Sequence, residues 1–569
     1  MTISDRRAAG LVRLARSTLA DVARGEAGEQ RSRAPGDALV NITVYGRGRL
    51  LASMSGRGAT LNDAVLEAAA RAAADARCGR RLAAADLPDA RVELWVQTAS
   101  EVIDSAVLAR DVDLGFHGVQ VSGGGRSAYY KPSVALTSGL TRHDRLLDKL
   151  TKKARLPPGA WRDPRVTLRR TTWEHYCEVP ANPGRVLHLR RLRPAALDEL
   201  TPAALRERAH LAADRLMRVQ SSEGYYLYKF HPFTDGETLG PGNLVRQAGC
   251  AYALAKAADA AADQQRRSAL GSSASTAIDA LLSRTAVEAG TLFIADPPRA
   301  GAPIRGKLGT LALTLAALQS PSLAIRYEPD RHRLAKAVLS WQRHDGSFRC
   351  RTNSASVADD GAAQDYFPGE ALMALAIEVR AGGQDAQRVM AAALPWYRAR
   401  FRAQPTTAFV PWQLEAWRLY AEWAVSLQAP MVPDVEAASD FVFEMADWIL
   451  RLQIRSPTVH RDLIGGYAQW GRGPGASTAT YTQAIIGAFS LARKLADADR
   501  ADRYRTASLR GLDFVRRLQI VPDTAILFRD PIRTVGGTTA SLSDMTIRCD
   551  YDQHVLTAYL AALDTTGLL

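Results

Sequence analysis

The stretch Asp359-Asp360-Gly361-Ala362-Ala363-Gln364-Asp365-Tyr366-Phe367-Pro368-Gly369-Glu370 gathers four carboxylates in one Gly/Pro-punctuated loop. The apolar run from Ala371 to Ile377 follows at once, so the loop feeds a buried helix with Glu370 near its N-terminus. Carboxylates held at the mouth of a helical scaffold do acid/base work, donating a proton when neutral and accepting one when ionised. The same residue types also cap helices and solubilise loops, so what the rest of the chain places opposite them decides their use.

At 569 residues the chain exceeds one hydrophobic core, and two or more domains are expected. A hydrophobic content of 47% and a charged content of 23% are those of a folded globular protein. The net charge of +14 comes from arginines dispersed along the chain, not from one basic block, and no nucleic-acid reader motif accompanies it. Cys78, Cys177, Cys250, Cys350 and Cys549 are odd in number and scattered, which argues against a disulfide framework or a zinc site. No signal-peptide core opens the chain and no run approaches ~20 apolar residues, so a cytoplasmic protein without a membrane span is expected. No cofactor or metal is implied, and oligomeric state is left open.

The first third reads as α+β with an antiparallel sheet. A helix is predicted over 5–23, and 25–35 is a polar loop. Alternation from Leu39 to Tyr45, the Gly46-Arg47-Gly48-Arg49 turn and the return from Leu50 to Met54 predict a hairpin. An Ala-rich helix over 61–74, a strand over 91–97, strands flanking Ser122-Gly123-Gly124-Gly125-Arg126, a helix over 143–153 and a strand over 163–172 complete the region. This order resembles the AMMECR-one domain family, as do His117-Gly118-Val119, Tyr130-Lys131-Pro132-Ser133-Val134 and the run Lys153-Ala154-Arg155-Leu156-Pro157-Pro158-Gly159. The family's signature of leucine, arginine, glycine, cysteine, isoleucine and glycine is replaced by Leu50-Leu51-Ala52-Ser53-Met54-Ser55, so Ser53 stands where the cysteine would. Without the sulfur no thiolate chemistry operates there. Ser53 is then a nucleophile with His117 as its base, or a small residue on a packed strand.

Beyond a linker at 180–194, with a turn at Asn182-Pro183-Gly184, the strand pattern gives way to twelve helical segments: 197–219, 244–262, 274–287, 307–318, 333–342, 370–380, 385–401, 412–426, 436–452, 480–496, 500–518 and 552–562. Four of them end in an apolar residue and glutamine: Val219-Gln220, Trp341-Gln342, Leu452-Gln453 and Leu518-Gln519. Glu223-Gly224-Tyr225-Tyr226, Asp345-Gly346-Ser347-Phe348, Gly465-Gly466-Tyr467 and Gly536-Gly537 follow them. Repeated helical hairpins can close into a ring. This grammar resembles the (α/α)6 toroid of six-hairpin glycosidase-like enzymes, of acylglucosamine 2-epimerase-type sugar epimerases and of terpene-cyclase rings. The last need an aspartate-rich motif that Asp359-Asp360 matches poorly, and lanthionine-cyclase rings need a Cys/His zinc set.

The expected architecture is thus an α+β domain over 1–179, a linker over 180–194 and an all-α toroid over 195–569. In such a ring the residues just before the inner helices converge on one cavity. They are Asp235, Glu237, Asn243, Arg246, Asp345, Asp365, Glu370, Trp412, Asp550, Asp552 and His554. Asp365, Glu370, Asp550 and His554 form the expected catalytic set. Asn243, Arg246, Asp345, Tyr366, Trp412 and Asp552 are the expected substrate contacts, with aromatic faces covering apolar sugar faces. Asp359 and Asp360 are expected to face solvent. The implied function is an enzyme acting on a small-molecule or glycan substrate, with two carboxylates flanking a glycosidic oxygen. A sugar epimerase built on His554 and a non-enzymatic binding protein are the alternatives.

Overall fold

The computed structural model describes the chain apart from residues 1–2, 27–35, 181, 183, 235, 299, 302, 428–433, 458–459 and 469–472. Most of the polar loop at 25–35, Pro183 of the expected turn and Asp235 therefore lie outside the described residues.

The N-terminal domain is a curled antiparallel sheet with helices on its convex face. Its strands are β1 (Ala38–Gly46), β2 (Arg49–Gly58), β3 (Ala90–Ile103), β4 (His117–Gly123), β5 (Arg126–Tyr130), β6 (Thr167–Glu178), β7 (Val186–Arg190) and β8 (Arg193–Pro194). They run in the order β2-β1-β3-β6-β4-β5, with β7 pairing β6 and β8 pairing β7. Strand alternation splits the side chains by face. Val40, Ile42, Val44, Ala52, Leu94 and Val96 pack under α1 (Asp5–Arg24) and α2 (Leu61–Ala74). Asn41, Thr43, Ser53, Glu93, Trp95 and His175 share the opposite, concave face through the registers Thr43↔Ser53, Thr43↔Glu93 and Trp95↔His175. The sheet curls until its two ends meet, where Ser55 of β2 is hydrogen-bonded to the Tyr129 hydroxyl of β5. The helix α3 (His143–Lys153) lies near β5 and buries Leu146, Leu147 and Leu150.

Residues 186–190 and 193–194 correct the expected linker. They extend the sheet, because Val186 to Leu189 pair antiparallel with His175 to Glu178 of β6. They also carry the seam to the second domain. Leu136, Cys177, Leu189 and Leu192 share a core with Leu227, Phe230, Ile520, Leu527, Phe528, Met545 and Ile547. Arg190 lies 3.3 Å from Asp462, and Arg193 donates to the carbonyl of Ser541 at 3.0 Å.

The second domain is a closed ring of six helical hairpins. Among the described residues its long helices are α4 (Pro202–Arg218), α5 (Leu244–Ala260), α6 (Gln264–Leu282), α7 (Leu308–Leu318), α8 (Glu328–Ser340), α9 (Phe367–Arg380), α10 (Gln384–Ala403), α11 (Val410–Ser426), α12 (Asp434–Leu450), α13 (Thr478–Lys494), α14 (Ala498–Leu518) and α15 (Cys549–Asp564). The inner helices α5, α7, α9, α11, α13 and α15 each pack on the next, and α15 returns to α5. The outer helices α6, α8, α10, α12, α14 and α4 each back an inner one. The inner helix α7 is almost wholly apolar, and every residue of it is buried; the others carry polar residues at their ends or toward the centre of the ring. The segment predicted as helix to 287 instead ends at Leu282 and turns into a hairpin, Thr285–Glu288 with Thr291–Ile294.

The glutamine repeat has a structural cause. Gln220, Gln342, Gln453 and Gln519 each donate to the carbonyl of a following glycine, Gly224, Gly346, Gly465 or Gly536, at 3.1–3.3 Å. Each also donates at 2.9 Å to a carbonyl of an adjacent outer helix, on Ser273, Val389, Ala507 and Arg208 respectively. Those glycines have φ between +84° and +92°. A Cβ on any of them would overlap a carbonyl oxygen of that outer helix, on Thr276, Ala392, Arg510 or Leu211. The repeat is therefore a staple between successive hairpins. Among the described residues, no helix is long and apolar enough to cross a membrane.

Candidate functional site

All six inner helices begin at the same end of the ring, where the described parts of the connections that precede them also lie. Arg246, in the first turn of α5, donates to the Tyr228 hydroxyl, and its Nε is 3.2 Å from Asp550 Oδ2. Asp550 opens α15 and accepts two further bonds from Arg548, at 2.5 and 2.7 Å. One turn on, His554 faces Trp412 of α11, with ring centroids 6.0 Å apart. Burial disfavours the imidazolium and lowers the His554 pKa to about 4 although Asp550 opposes the shift, so the ring is neutral at pH 7.

Glu370 sits in the first turn of α9, three places from α15 in a six-helix ring and so across the mouth from it. Its carboxyl is 4% exposed, and Oε2 has no hydrogen-bond partner. That oxygen fills the space a side chain at Gly309 would take on α7, beside the Phe367 ring. Burial raises its pKa to about 8, with no cation to offset the cost, so Glu370 is a neutral carboxylic acid at physiological pH.

Other expected residues are engaged elsewhere. Asp365 accepts from Arg400 at 2.7 Å and from Thr406 at 3.1 Å, which turns it outward to α10, because an outer-helix arginine competes for it. Asp552 is paired with Arg215 of α4 and accepts the Thr538 amide at 2.6 Å; burial raises its pKa to about 6 while Arg215 opposes. It fastens the last inner helix to the first outer one. Asp345 closes its own repeat turn by accepting from the Ser347 amide and hydroxyl, at 3.0 and 2.7 Å. Asn243 caps α5 through the Val245 amide at 3.1 Å. Asp360, expected in solvent, is 1% exposed and bound by Arg343 at 2.9 Å and Gln364 at 3.0 Å, while Asp359 completes the capping box that Ser356 opens on the short helix Val357–Asp360. Glu237 pairs with Arg533 at the edge of the loops. Tyr366 is 46% exposed on the rim. The mouth thus keeps Arg246, Tyr366, Glu370, Trp412, Asp550 and His554 from the expected set, and adds Tyr228 and Arg548. Arg548 was visible two residues before Asp550; Tyr228, in a loop with no fixed spacing to α15, left no signal.

A cavity of about 680 Å³ opens at the other end of the ring, among the C-terminal halves of the inner helices. None of the expected residues lines it. Its Arg418 is clamped by Glu415 at 2.7 Å and by Glu422 at 2.8 Å, an arrangement that satisfies its own charges. Among the described residues, no three or more His, Cys, Asp or Glu side chains are grouped to hold a metal.

In the N-terminal domain Ser53 and His117 do not meet. Ser53 Oγ on β2 has Thr43 and Asn41 as its hydrogen-bond partners, whereas His117 lies on β4 and pairs with Thr172 of β6. His117 Nδ1 accepts the Asp113 amide at 2.9 Å, and burial lowers its pKa to about 4. Lys131 is the basic group near Ser53: its Nζ donates to Asn41 Oδ1 at 3.0 Å and to Thr43 Oγ1, which is 3.1 Å from Ser53 Oγ.

Compared with known sequences, residues 13–176 match the AMMECR1 family. Residues 13–176 form an AMMECR1 domain. A protein of Halobacterium salinarum, VNG_2543C, is 33% identical over 135 residues, which is 22% of this chain. The chain spans 63% of the length of that curated relative. Among solved structures, the sugar epimerase from a ruminal bacterium overlaps 64% of this chain and 98% of its own, with a TM-score of 0.45 and 10% identity. The GH76A alpha-1,6-mannanase from Salegentibacter sp. HEL1_6 overlaps 63% of this chain and 98% of its own, with a TM-score of 0.44 and 9% identity.

Proposed function

We propose that the toroid is an enzyme acting on a carbohydrate or sugar-like conjugate by acid/base chemistry at the mouth formed by the inner-helix N-termini. The observation that carries this reading is Glu370, a buried carboxyl with a free oxygen and a pKa raised to about 8. A proton donor matched to neutral pH is what protonation of a sugar oxygen requires. Across the mouth, the start of α15 supplies the base. His554 is neutral and carries no ion pair among the described contacts, whereas Asp550 is held by Arg548 and Arg246. Tyr366 and Trp412 present aromatic faces beside it.

The neutral His554 favours removal of a carbon-bound proton, the step an epimerase needs. The oriented, arginine-bound Asp550 supports the second reading, hydrolysis, with Glu370 protonating the leaving oxygen and Asp550 activating water. A panel of mono- and oligosaccharides followed by NMR in D2O separates the two. Deuterium entering a sugar carbon indicates epimerisation, and a new reducing end indicates hydrolysis. Glu370→Gln abolishes either reaction without unfolding the chain. Turnover retained in that variant, or no reaction with any sugar offered, contradicts the reading.

A further inference from the structure

The concave face of the AMMECR1 domain holds a nucleophile and a base that the toroid reading does not use. Thr43 and Ser53 are cross-strand partners on β1 and β2, and their hydroxyls are 3.1 Å apart. Lys131 follows β5 and, because the sheet curls, returns over the same two strands. Its amine is buried, and both its hydrogen-bond acceptors, Asn41 Oδ1 and Thr43 Oγ1, are neutral. The charged and titratable groups around it are Glu93, Arg91, His175 and Lys153. Glu93 is already taken by Arg91 at 3.0 Å and His175 at 3.2 Å, and His175 stacks on Trp95 at 3.7 Å. Lys131 therefore sits over the Trp95 ring, 5.0 Å from its centroid, without a carboxylate of its own. Burial lowers its pKa to about 8 although Glu93 opposes the shift.

Ser53 is half-buried. Ser55, the next residue on its face and about 7 Å along the strand, lines a cavity of about 450 Å³ that also takes in Tyr129, Gln97, Arg57 and Arg71. Arg77 donates to the Ser53 carbonyl at 3.0 Å and is itself paired with Asp75 at 2.8 Å, so the positive character of the approach comes from Arg57 and Arg71 of the cavity, set against one carboxylate, Glu67.

We infer that Ser53, Thr43 and Lys131 form a nucleophilic acyl-transfer site that takes carboxylic esters with an anionic group. In this site the Ser53 Oγ bonds to the ester carbonyl carbon. Its proton passes to Thr43, whose hydroxyl donates to Asn41 Oδ1 at 2.7 Å at rest and turns its own proton to Lys131 once that amine is neutral. Collapse of the tetrahedral adduct expels the alcohol, which leaves with a proton returned along the same chain. Water then attacks the acyl-serine by the same relay, releases the carboxylic acid and restores Ser53. The arrangement depends only on N-terminal residues and is independent of Glu370.

The full-length chain treated with a fluorophosphonate, followed by intact and peptide mass spectrometry, tests this directly. The expected result is one phosphonyl adduct on Ser53, with loss of fluoride. The adduct is lost in Ser53→Ala, slowed at least about a hundredfold in Lys131→Met and Thr43→Val, and largely kept in Thr43→Ser. In the unaltered chain, which needs no variant to fold, the labelling rate rises with pH through about 8 as Lys131 loses its proton. Hydrolysis of an anionic nitrophenyl ester follows the same profile. No adduct, an adduct that survives Ser53→Ala, or a labelling rate that is flat with pH and indifferent to Lys131→Met overturns the assignment.

Discussion

In the curled sheet, Asn41, Thr43 and Ser53 come from two strands joined by the two-residue turn Arg47-Gly48. In the toroid, Arg246 and Asp550 share an ion pair although they begin the first and last inner helices. Local register assembles the first cluster; closure of the whole ring assembles the second. The two sites are therefore fragile in different places. The sheet face survives as long as one hairpin keeps its register, because a slip of one residue would exchange every side chain between faces. The mouth of the ring depends on contacts remote from it.

The contrast is broken most strongly at Arg215–Asp552, the buried pair that ties the first outer helix to the last inner one. Both side chains are at most 1% exposed. Arg215→Met leaves a buried carboxylate and costs about 3–5 kcal/mol, read by denaturant unfolding. Gly465→Ala comes next, at roughly 2–4 kcal/mol, since φ is +89° and a Cβ meets the Arg510 carbonyl. Gln453→Ala leaves the Gly465 and Ala507 carbonyls without its amide and costs about 1–3 kcal/mol. Smallest is Arg185→Ala, which removes the exposed 2.7 Å pair with Asp523 between the domains and changes stability by less than about 1 kcal/mol. An Arg185→Ala effect as large as that of Arg215→Met would show that the domain seam, and not ring closure, holds the toroid together.

All twelve toroid helices could be found from apolar spacing, because inner helices buried on every side leave a long signal. The glutamine-glycine repeat was also legible, since it serves the same staple in four hairpins. What the sequence hid was the choice of partner. Asp365 and Glu370 lie five residues apart on either side of the start of α9, yet Arg400 draws the first outward while the second stays unpaired against Gly309. Asp550 and Asp552 diverge likewise, one toward the mouth and one toward Arg215. Such outcomes depend on which arginine lies within reach in the folded ring, whether from the same turn, as Arg548, or from another helix, as Arg400 and Arg215. In the N-terminal domain, periodicity placed Ser53 on its strand, but only the curl of the sheet brings Lys131 to it. The strands at 186–194 were missed because they are short and follow a Pro/Gly turn that reads as a boundary.

The two buried groups at the mouth bias stability in opposite directions. A carboxyl whose folded pKa is about 8 against an ordinary 4.5 favours the folded state below 4.5, and that advantage is lost as pH rises toward 8. His554, lowered from 6.5 to about 4, contributes above 6.5 and loses its contribution as pH falls through 4. Glu370→Gln therefore removes the decline between pH 4.5 and 8 while leaving the acid limb.

Infrared difference spectroscopy of the carboxylic-acid carbonyl band, recorded against Glu370→Gln across the pH range, reads the protonation state of Glu370 without a substrate. The predicted result is a band missing from the variant and titrating away in the wild type near pH 8. A band that disappears near pH 4.5, or that persists in Glu370→Gln, would contradict a neutral acid at the mouth of the ring.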